Sequence, residues 1–170
     1  KIYARPGGTD FVLLIEGRQA TVNLPLPGTF NVYNALAAAA VGLASGLSLE
    51  TVIIGLRSVS GVPGRMEVID EGQAFTTIVD YAHTPDAMLK VYETVKPPVR
   101  GKMIVVFGAT GERDRAKRPI LGALAGKYAD YVILTTDDPY GEDPHAIIDE
   151  VAQGVPRGRP NRGGRLRVNK

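Results

Sequence analysis

Apolar and polar residues alternate over 10–24, with Phe11, Leu13 and Ile15 in one register and Glu16, Gly17 and Arg18 at the reversal, which predicts a β-hairpin. Leu26, Pro27 and Gly28 close it. From 31 to about 43 the chain is rich in alanine and free of proline, predicting a buried helix whose small side chains permit close packing. Ser48, Glu50 and Thr51 open a second helix carrying Val52, Ile53 and Leu56, and Gly61 with Pro63 ends that segment. Downstream, short apolar runs alternate with amphipathic stretches. Strands are predicted over 75–80, 102–107 and 131–135, and helices over 85–95, 118–128 and 144–152. Three strand-then-helix units in succession predict an α/β fold with a mostly parallel, doubly wound sheet. Ligands of such sheets sit beyond the carboxyl ends of the strands, so chemistry is expected in the loops after Val79, Phe107 and Leu134.

Composition changes this picture little. The 170 residues are 44% hydrophobic and 22% charged, as in ordinary globular proteins, and suffice for one well-cored domain or one domain plus part of another. With no cysteine, disulfides, thiolate catalysis and Cys-ligated metal are excluded, and a reducing compartment fits. No apolar run approaches the ~18 to 20 residues that span a bilayer; the richest, 35–47, is interrupted by Gly42 and Ser45. A soluble, cytoplasmic protein without a membrane partner is expected. Lys1 opens the chain without a start methionine or signal peptide, so the chain is expected to begin inside a longer protein.

The net charge of +2 hides an asymmetry: Arg157, Arg159, Arg162, Arg165, Arg167 and Lys170 crowd the last fourteen residues, leaving 14 basic against 18 acidic elsewhere. A basic tail over 154–170 can bind a polyanion through counterion release. Having no aromatic residue for stacking and no apolar periodicity, it reads better as a disordered end, and no nucleic-acid partner is expected.

Three polar clusters carry the candidate chemistry. Asp80-Tyr81-Ala82-His83-Thr84-Pro85 places a carboxylate at a strand end and a histidine before a helix. Asp80 can accept hydrogen bonds from a ribose and His83 can lie against an adenine, or the pair can serve as a turn and a helix cap. Gly108-Ala109-Thr110-Gly111-Glu112-Arg113-Asp114 leaves a strand and enters a helix through Lys117, Arg118 and Pro119, an arrangement that lets backbone approach an anion or that simply makes a turn. It is neither a Walker A loop nor a G-x-G-x-x-G fingerprint, and the absence of the latter weighs against a nicotinamide dehydrogenase. Thr135-Thr136-Asp137-Asp138-Pro139-Tyr140-Gly141-Glu142-Asp143-Pro144 holds four acids, which can bind an ammonium or a metal or form a solvated loop with Asp143 capping the next helix.

In order along the chain, Phe30-Asn31-Val32-Tyr33-Asn34, Gly64-Arg65-Met66-Glu67, Asp80 to Pro85, Gly-Glu-Arg-Asp with Lys-Arg-Pro, and Asp-Asp-Pro resemble the Mur ligase family, and within it the synthetases that add the third residue of the peptide. The resemblance covers 1 to about 153. It implies the end of a central ATPase domain over 1–62, a partial, Rossmann-like C-terminal domain over 63–153, and a tail beyond. It further implies that Asn34, supported by Asn31, approaches the adenine, that Arg65 reaches ATP, that Asp80 lies near the ribose and His83 near the adenine, and that Arg113 holds the carboxylate of the incoming amino acid. Members that add meso-diaminopimelate carry Asp-Asn-Pro-Arg, whose asparagine and arginine bind that substrate. Here Asp138 and Tyr140 stand at those two positions, so the bidentate grip on a second carboxylate is missing, and an amine-ended lysine or ornithine suits the acidic loop of Asp137, Asp138, Glu142 and Asp143 better.

The family's reaction uses ATP and Mg2+ to phosphorylate the carboxylate of UDP-N-acetylmuramoyl-dipeptide, and the amine of the amino acid then displaces phosphate to form an amide. The phosphate loop and metal ligands are expected upstream of Lys1 and the last strands beyond Lys170, so the chain by itself is expected to be inactive and poorly stable. Residues 61–64 are the expected hinge. Two alternatives stand beside this reading: a folylpolyglutamate or cyanophycin-type ligase of the same superfamily, and a nucleotide-binding module without catalysis.

Overall fold

The computed structural model describes residues 1–5, 7–15, 17–156 and 165–168, the last four and residues 4 and 5 by backbone only. It divides into two compact units, Lys1–Tyr81 and Ala82–Lys170.

In the first unit, Ile2–Arg5 (β1), Gly8–Ile15 (β2) and Arg18–Leu24 (β3) form an antiparallel meander. The register sets Phe11 opposite Val22 and Leu13 opposite Ala20, so the period-two alternation turns one face inward. Thr29–Ala44 (α1) presents Val32, Ala35 and Ala39, and Leu49–Ser58 (α2) presents Leu49, Val52 and Leu56. These positions share one core with Phe11, Leu13, Val22 and Leu24. Each buried Val, Leu or Phe stabilises by about 1.5–3 kcal/mol, and the alanines of α1 let the helices approach closely. The Ser48 hydroxyl accepts from the Thr51 N–H at 3.1 Å and caps α2.

Glu67–Ile69 (β4) and Thr77–Val79 (β5) then pair antiparallel. This corrects the expected grouping. The strand foreseen over 75–80 is real over three residues, but among the described residues its partner is β4, and it is no member of the parallel sheet. Apolar character marks a strand without naming its neighbour, and the short Glu67–Ile69 strand leaves no legible alternation.

The second unit holds Pro85–Val95 (α3), Ile104–Phe107 (β6), Lys117–Tyr128 (α4), Tyr131–Leu134 (β7), Pro144–Gly154 (α5) and Arg165–Val168 (β8). Strands β6, β7 and β8 are parallel and lie in that order. Right-handed crossovers between strands in sequential order put α4 and α5 on one face. Burial agrees: Val132 and Leu134 are 0% and 1% exposed under the helices, whereas Ile104 and Val106 on the other face are 59% and 61% exposed. Helices α4 and α5 pack at backbone contact, since a Cβ on Gly122 would stand 2.0 Å from the Val151 carbonyl oxygen. Thr84 and Asp143 cap α3 and α5, each followed by proline at the first helical turn.

The tail expected over 154–170 lies mostly outside the described residues. Its members Arg165–Val168 form β8, a correction for those four positions. Backbone pairing with Tyr131–Leu134 supplies the order that side-chain periodicity did not announce.

Candidate functional site

Asn31 and Asn34 lie on the first turns of α1. That helix starts at a Gly28 of φ 95° with no side-chain cap, and the Asn31 amide instead donates to the Pro27 carbonyl at 2.8 Å. Asn31 is buried, and its side-chain oxygen accepts from the Asn34 amide at 3.1 Å. One asparagine thus holds the other, whose residue is exposed.

Arg65 and Asp80 are brought together at the β4–β5 hairpin. The Arg65 N–H donates to the Val62 carbonyl at 2.9 Å, closing a tight turn. Met66 follows with a left-handed φ of 49°, and its N–H donates to Asp80 Oδ2 at 2.9 Å. The Gly64 N–H donates to Glu67 Oε2 at 2.7 Å. The Arg65 guanidinium lies 4.5 Å from the centre of the Tyr81 ring, a cation–π contact that sequence reasoning missed.

In the second unit His83 is exposed just before the α3 cap, and its carbonyl accepts from Lys117 Nζ at 3.1 Å. Thr84 supplies the cap, accepting from the Ala87 N–H at 3.3 Å, so the cap role considered for His83 belongs to its neighbour. Arg113 sits in the loop after β6, and Asp137, Asp138 and Tyr140 sit in the loop after β7, at the carboxyl ends of adjacent parallel strands. All four are exposed. The Arg113 guanidinium stands 5.6 Å from the Tyr140 ring centre. The Thr110 hydroxyl donates to Asp137 Oδ2 at 3.1 Å, and the Gly111 N–H donates to the Asp138 carbonyl at 2.8 Å. Gly111 is obligatory for this approach, because a Cβ there would stand 1.9 Å from the Pro139 oxygen. A shallow recess beside them is lined by Ala109, Thr135, Thr136, Asp137, Pro139, Pro144 and Ile147.

Beneath the two loops lies a charged group that sequence reasoning did not assign to a site. Arg118 is fully buried, and its two terminal nitrogens fork onto Glu142 at 2.8 Å each. Nη1 also donates to Glu150 at 2.8 Å, and Nη2 reaches the Thr110 carbonyl at 3.3 Å. Arg115 donates to the same Glu150. The fork and the Glu112 N–H bind the ionised form of Glu142 and hold its carboxyl down to about 2. A signal was available: Arg118, Leu121, Gly122 and Ala125 are the buried stripe of α4, so a cation occupies an apolar position of the helix.

Among the described residues no group of three histidine or acidic side chains converges as metal ligands. No described helix is long and apolar enough to cross a membrane.

Residues 64–165 match the family described as Mur ligase, glutamate ligase domain, and residues 1–42 match the Mur ligase middle domain. A UDP-N-acetylmuramoyl-L-alanyl-D-glutamate–2,6-diaminopimelate ligase of Bacillus cereus is 49% identical over 88% of this chain and 30% of its own length. A UDP-N-acetylmuramyl-tripeptide synthetase of Roseiflexus sp. is 53% identical over 87% of this chain and 29% of its own. The solved structure of a UDP-N-acetylmuramoyl-L-alanyl-D-glutamate–2,6-diaminopimelate ligase aligns over 99% of this chain and 34% of its own, with 36% identity and a TM-score of 0.59. The chain therefore spans about a third of the length of these relatives.

Proposed function

The chain belongs to the Mur ligase family, and from that premise we propose that the protein carrying it is an ATP-dependent ligase of the cytoplasm that joins an amino acid to UDP-N-acetylmuramoyl-dipeptide as the third peptide residue. The observation that carries the reading is the meeting of Arg113 and Tyr140 over two cross-tied loops at the carboxyl ends of parallel strands. An exposed guanidinium there suits a carboxylate, and Asp137 and Asp138 beside it suit an ammonium. An amino acid offers both.

The nucleotide side of the reading rests on Asn31, Asn34, Arg65, Asp80 and His83. Asn34 and Arg65 are exposed and held by neighbours, which suits side chains that meet a ligand. A domain limit near 62 fits matched segments that end at 42 and begin at 64, whereas the second segment runs on to 165, past the limit expected at 153. In the reaction ATP supplies the phosphoryl group that turns the dipeptide carboxylate into an acyl phosphate. The amine then attacks its carbonyl, phosphate leaves, and the amine proton is lost as the amide forms. This chain's part is to orient the amine and the nucleotide, which lowers the barrier through alignment.

The amino acid we infer is lysine or ornithine, because Asp138 and Tyr140 occupy the positions at which diaminopimelate-adding members carry asparagine and arginine. The test is ADP release by the full-length protein with UDP-N-acetylmuramoyl-dipeptide and a panel of lysine, ornithine and meso-diaminopimelate, with mass analysis of the product. Amide formation with the two amine-ended amino acids is expected. Preference for meso-diaminopimelate would overturn the choice of amino acid, and no amide formed with any of the three would overturn the peptide ligase.

A further inference from the structure

The Lys-Arg-Pro run that opens α4 belongs to neither candidate ligand set, yet its arginine is the one fully buried charge among the described residues. We propose that Arg118 is a positioning residue of the amino-acid site: its guanidinium sets the loop carrying Arg113 against the loop carrying Asp137, Asp138 and Tyr140. This deepens the ligase reading and rests on it.

A single planar group reaches every part that has to be aligned. Its fork takes both oxygens of Glu142, two residues beyond Tyr140, while Nη2 also reaches the Thr110 carbonyl in the loop that carries Arg113. Nη1 is anchored to Glu150 on α5, so the contact is referred to the helical layer and not only to a second loop. Glu142 carries the tie further, since its Oε1 accepts from the Glu112 N–H at 2.5 Å, one residue before Arg113. Glu112 reciprocates through Oε1, which accepts from the Gly141 N–H at 3.1 Å, one residue after Tyr140.

The backbone at these points explains why a tie is needed. Glu112 and Tyr140 both have left-handed φ, 53° and 50°, a conformation that costs a non-glycine residue energy and persists only where surroundings hold it. These two strained residues adjoin or carry the side chains assigned to the amino acid. Removing the fork releases the strain and lets Arg113 and Tyr140 drift from the separation that a carboxylate requires. Lysine cannot replace the arginine, because a point charge grips neither both Glu142 oxygens nor two loops at once.

The experiment uses the full-length enzyme, with lysine, ornithine and meso-diaminopimelate varied in turn against ATP. Glu142→Ala, which leaves Arg118 its Glu150 partner, is expected to raise KM for the amino acid about tenfold with KM for ATP changed less than about twofold. Glu142→Gln keeps one acceptor for the fork and replaces the other by a donor, and is expected to recover only part of that loss. Arg118→Lys is expected to match Glu142→Ala. Asp130→Ala serves as the stability control, since Asp130 accepts from the Met103 N–H and pairs with Lys96 and Lys102 away from both loops. Glu142→Ala with an unchanged amino-acid KM, or a parallel rise in both KM values, would overturn the proposal. So would an Asp130→Ala variant that copies the effect at equal loss of melting temperature. A parent enzyme without amino-acid-dependent ADP release removes the ligase reading itself, and the proposal with it.

Discussion

In residues 1–81 the candidate nucleotide ligands are held mainly by partners close in sequence. Asn34 leans on Asn31, Gly64 on Glu67, and Arg65 closes its turn on Val62, while the Met66–Asp80 bond spans 14 positions. In residues 82–170 the candidate amino-acid ligands are held from afar: Arg118 reaches Glu142 across 24 positions and Glu150 across 32, and Glu112 meets Glu142 across 30. The first arrangement forms within one hairpin or helix turn. The second exists only once β6, α4, β7 and α5 have assembled, so its geometry depends on the integrity of the whole layer. Perturbing the layer should therefore damage the second site and spare the first.

The sharpest way to break that contrast is to remove its centre. Arg118→Met takes the shared cation from Glu142 and Glu150, and because those carboxylates are 24% and 21% exposed and Glu150 keeps Arg115, the cost in denaturant unfolding is expected to be about 2–4 kcal/mol, below the full penalty for halving a wholly buried pair. Asn31→Ala, its counterpart in the first unit, removes the bond to Pro27 and the acceptor for Asn34 and should cost about 1–2 kcal/mol. Equal losses would mean that the long-range network adds nothing to the local kind.

Next in size is the helix contact on which the network stands. Gly122→Ala sets a methyl group 2.0 Å from the Val151 carbonyl oxygen, so α4 and α5 must separate, at a cost of about 1–3 kcal/mol. Hydrogen exchange should show lost protection in α5 with β2 and α1 unchanged. Loss spread evenly over both units would contradict their separation.

The same contrast decides what the sequence made legible. Helices α2 and α5 were readable because Ser48 and Asp143 announce them, and α3 because Pro85 opens it, although its cap is Thr84 and not the His83 considered for that role. The hairpin around Gly17 and strands β6 and β7 were readable from alternation or from β-branched runs. Strand β1 and the β4 partner of β5 were not, because Ile2-Tyr3-Ala4-Arg5 and Glu67-Val68-Ile69 are broken by polar or small residues where the equally short β6 and β7 are unbroken apolar runs, and pairing is chosen by the fold and not by the segment. Strand β8 was hidden by its arginines. Among candidate site residues, placement at strand ends and helix starts was legible because such loops carry unusual polar clusters. The roles of Glu142 and Arg118 were not: in sequence Glu142 is one acid of four, and only assembly selects it as the partner of Arg118.

Acidification gives a milder perturbation. Glu142 is held down to about 2 against an ordinary 4.5, first by the Arg118 fork and then by the Glu112 N–H. A carboxyl depressed on folding stabilises fully above its unfolded value and loses that contribution as pH falls through its folded one. The loop tie should thus be intact at pH 5 and above and weaken between about 4.5 and 2. A carboxyl NMR titration checks this, and a Glu142 midpoint near 4.5 would show that the fork does not persist in solution.

The smallest effect is expected where the same charges meet in water. Lys90 and Asp86 approach to 2.6 Å along α3, closer than Arg118 to either of its partners, but their side chains are 52% and 76% exposed. Solvent screens the attraction, and holding two flexible chains together costs entropy, so Lys90→Ala should change stability by no more than about 0.5 kcal/mol. Distance alone would rank this pair above the Arg118 fork; burial reverses the order. A loss above about 1 kcal/mol would restore distance as the better guide, and the case for Arg118 would then have to rest on its geometry between the loops and not on its seclusion from water.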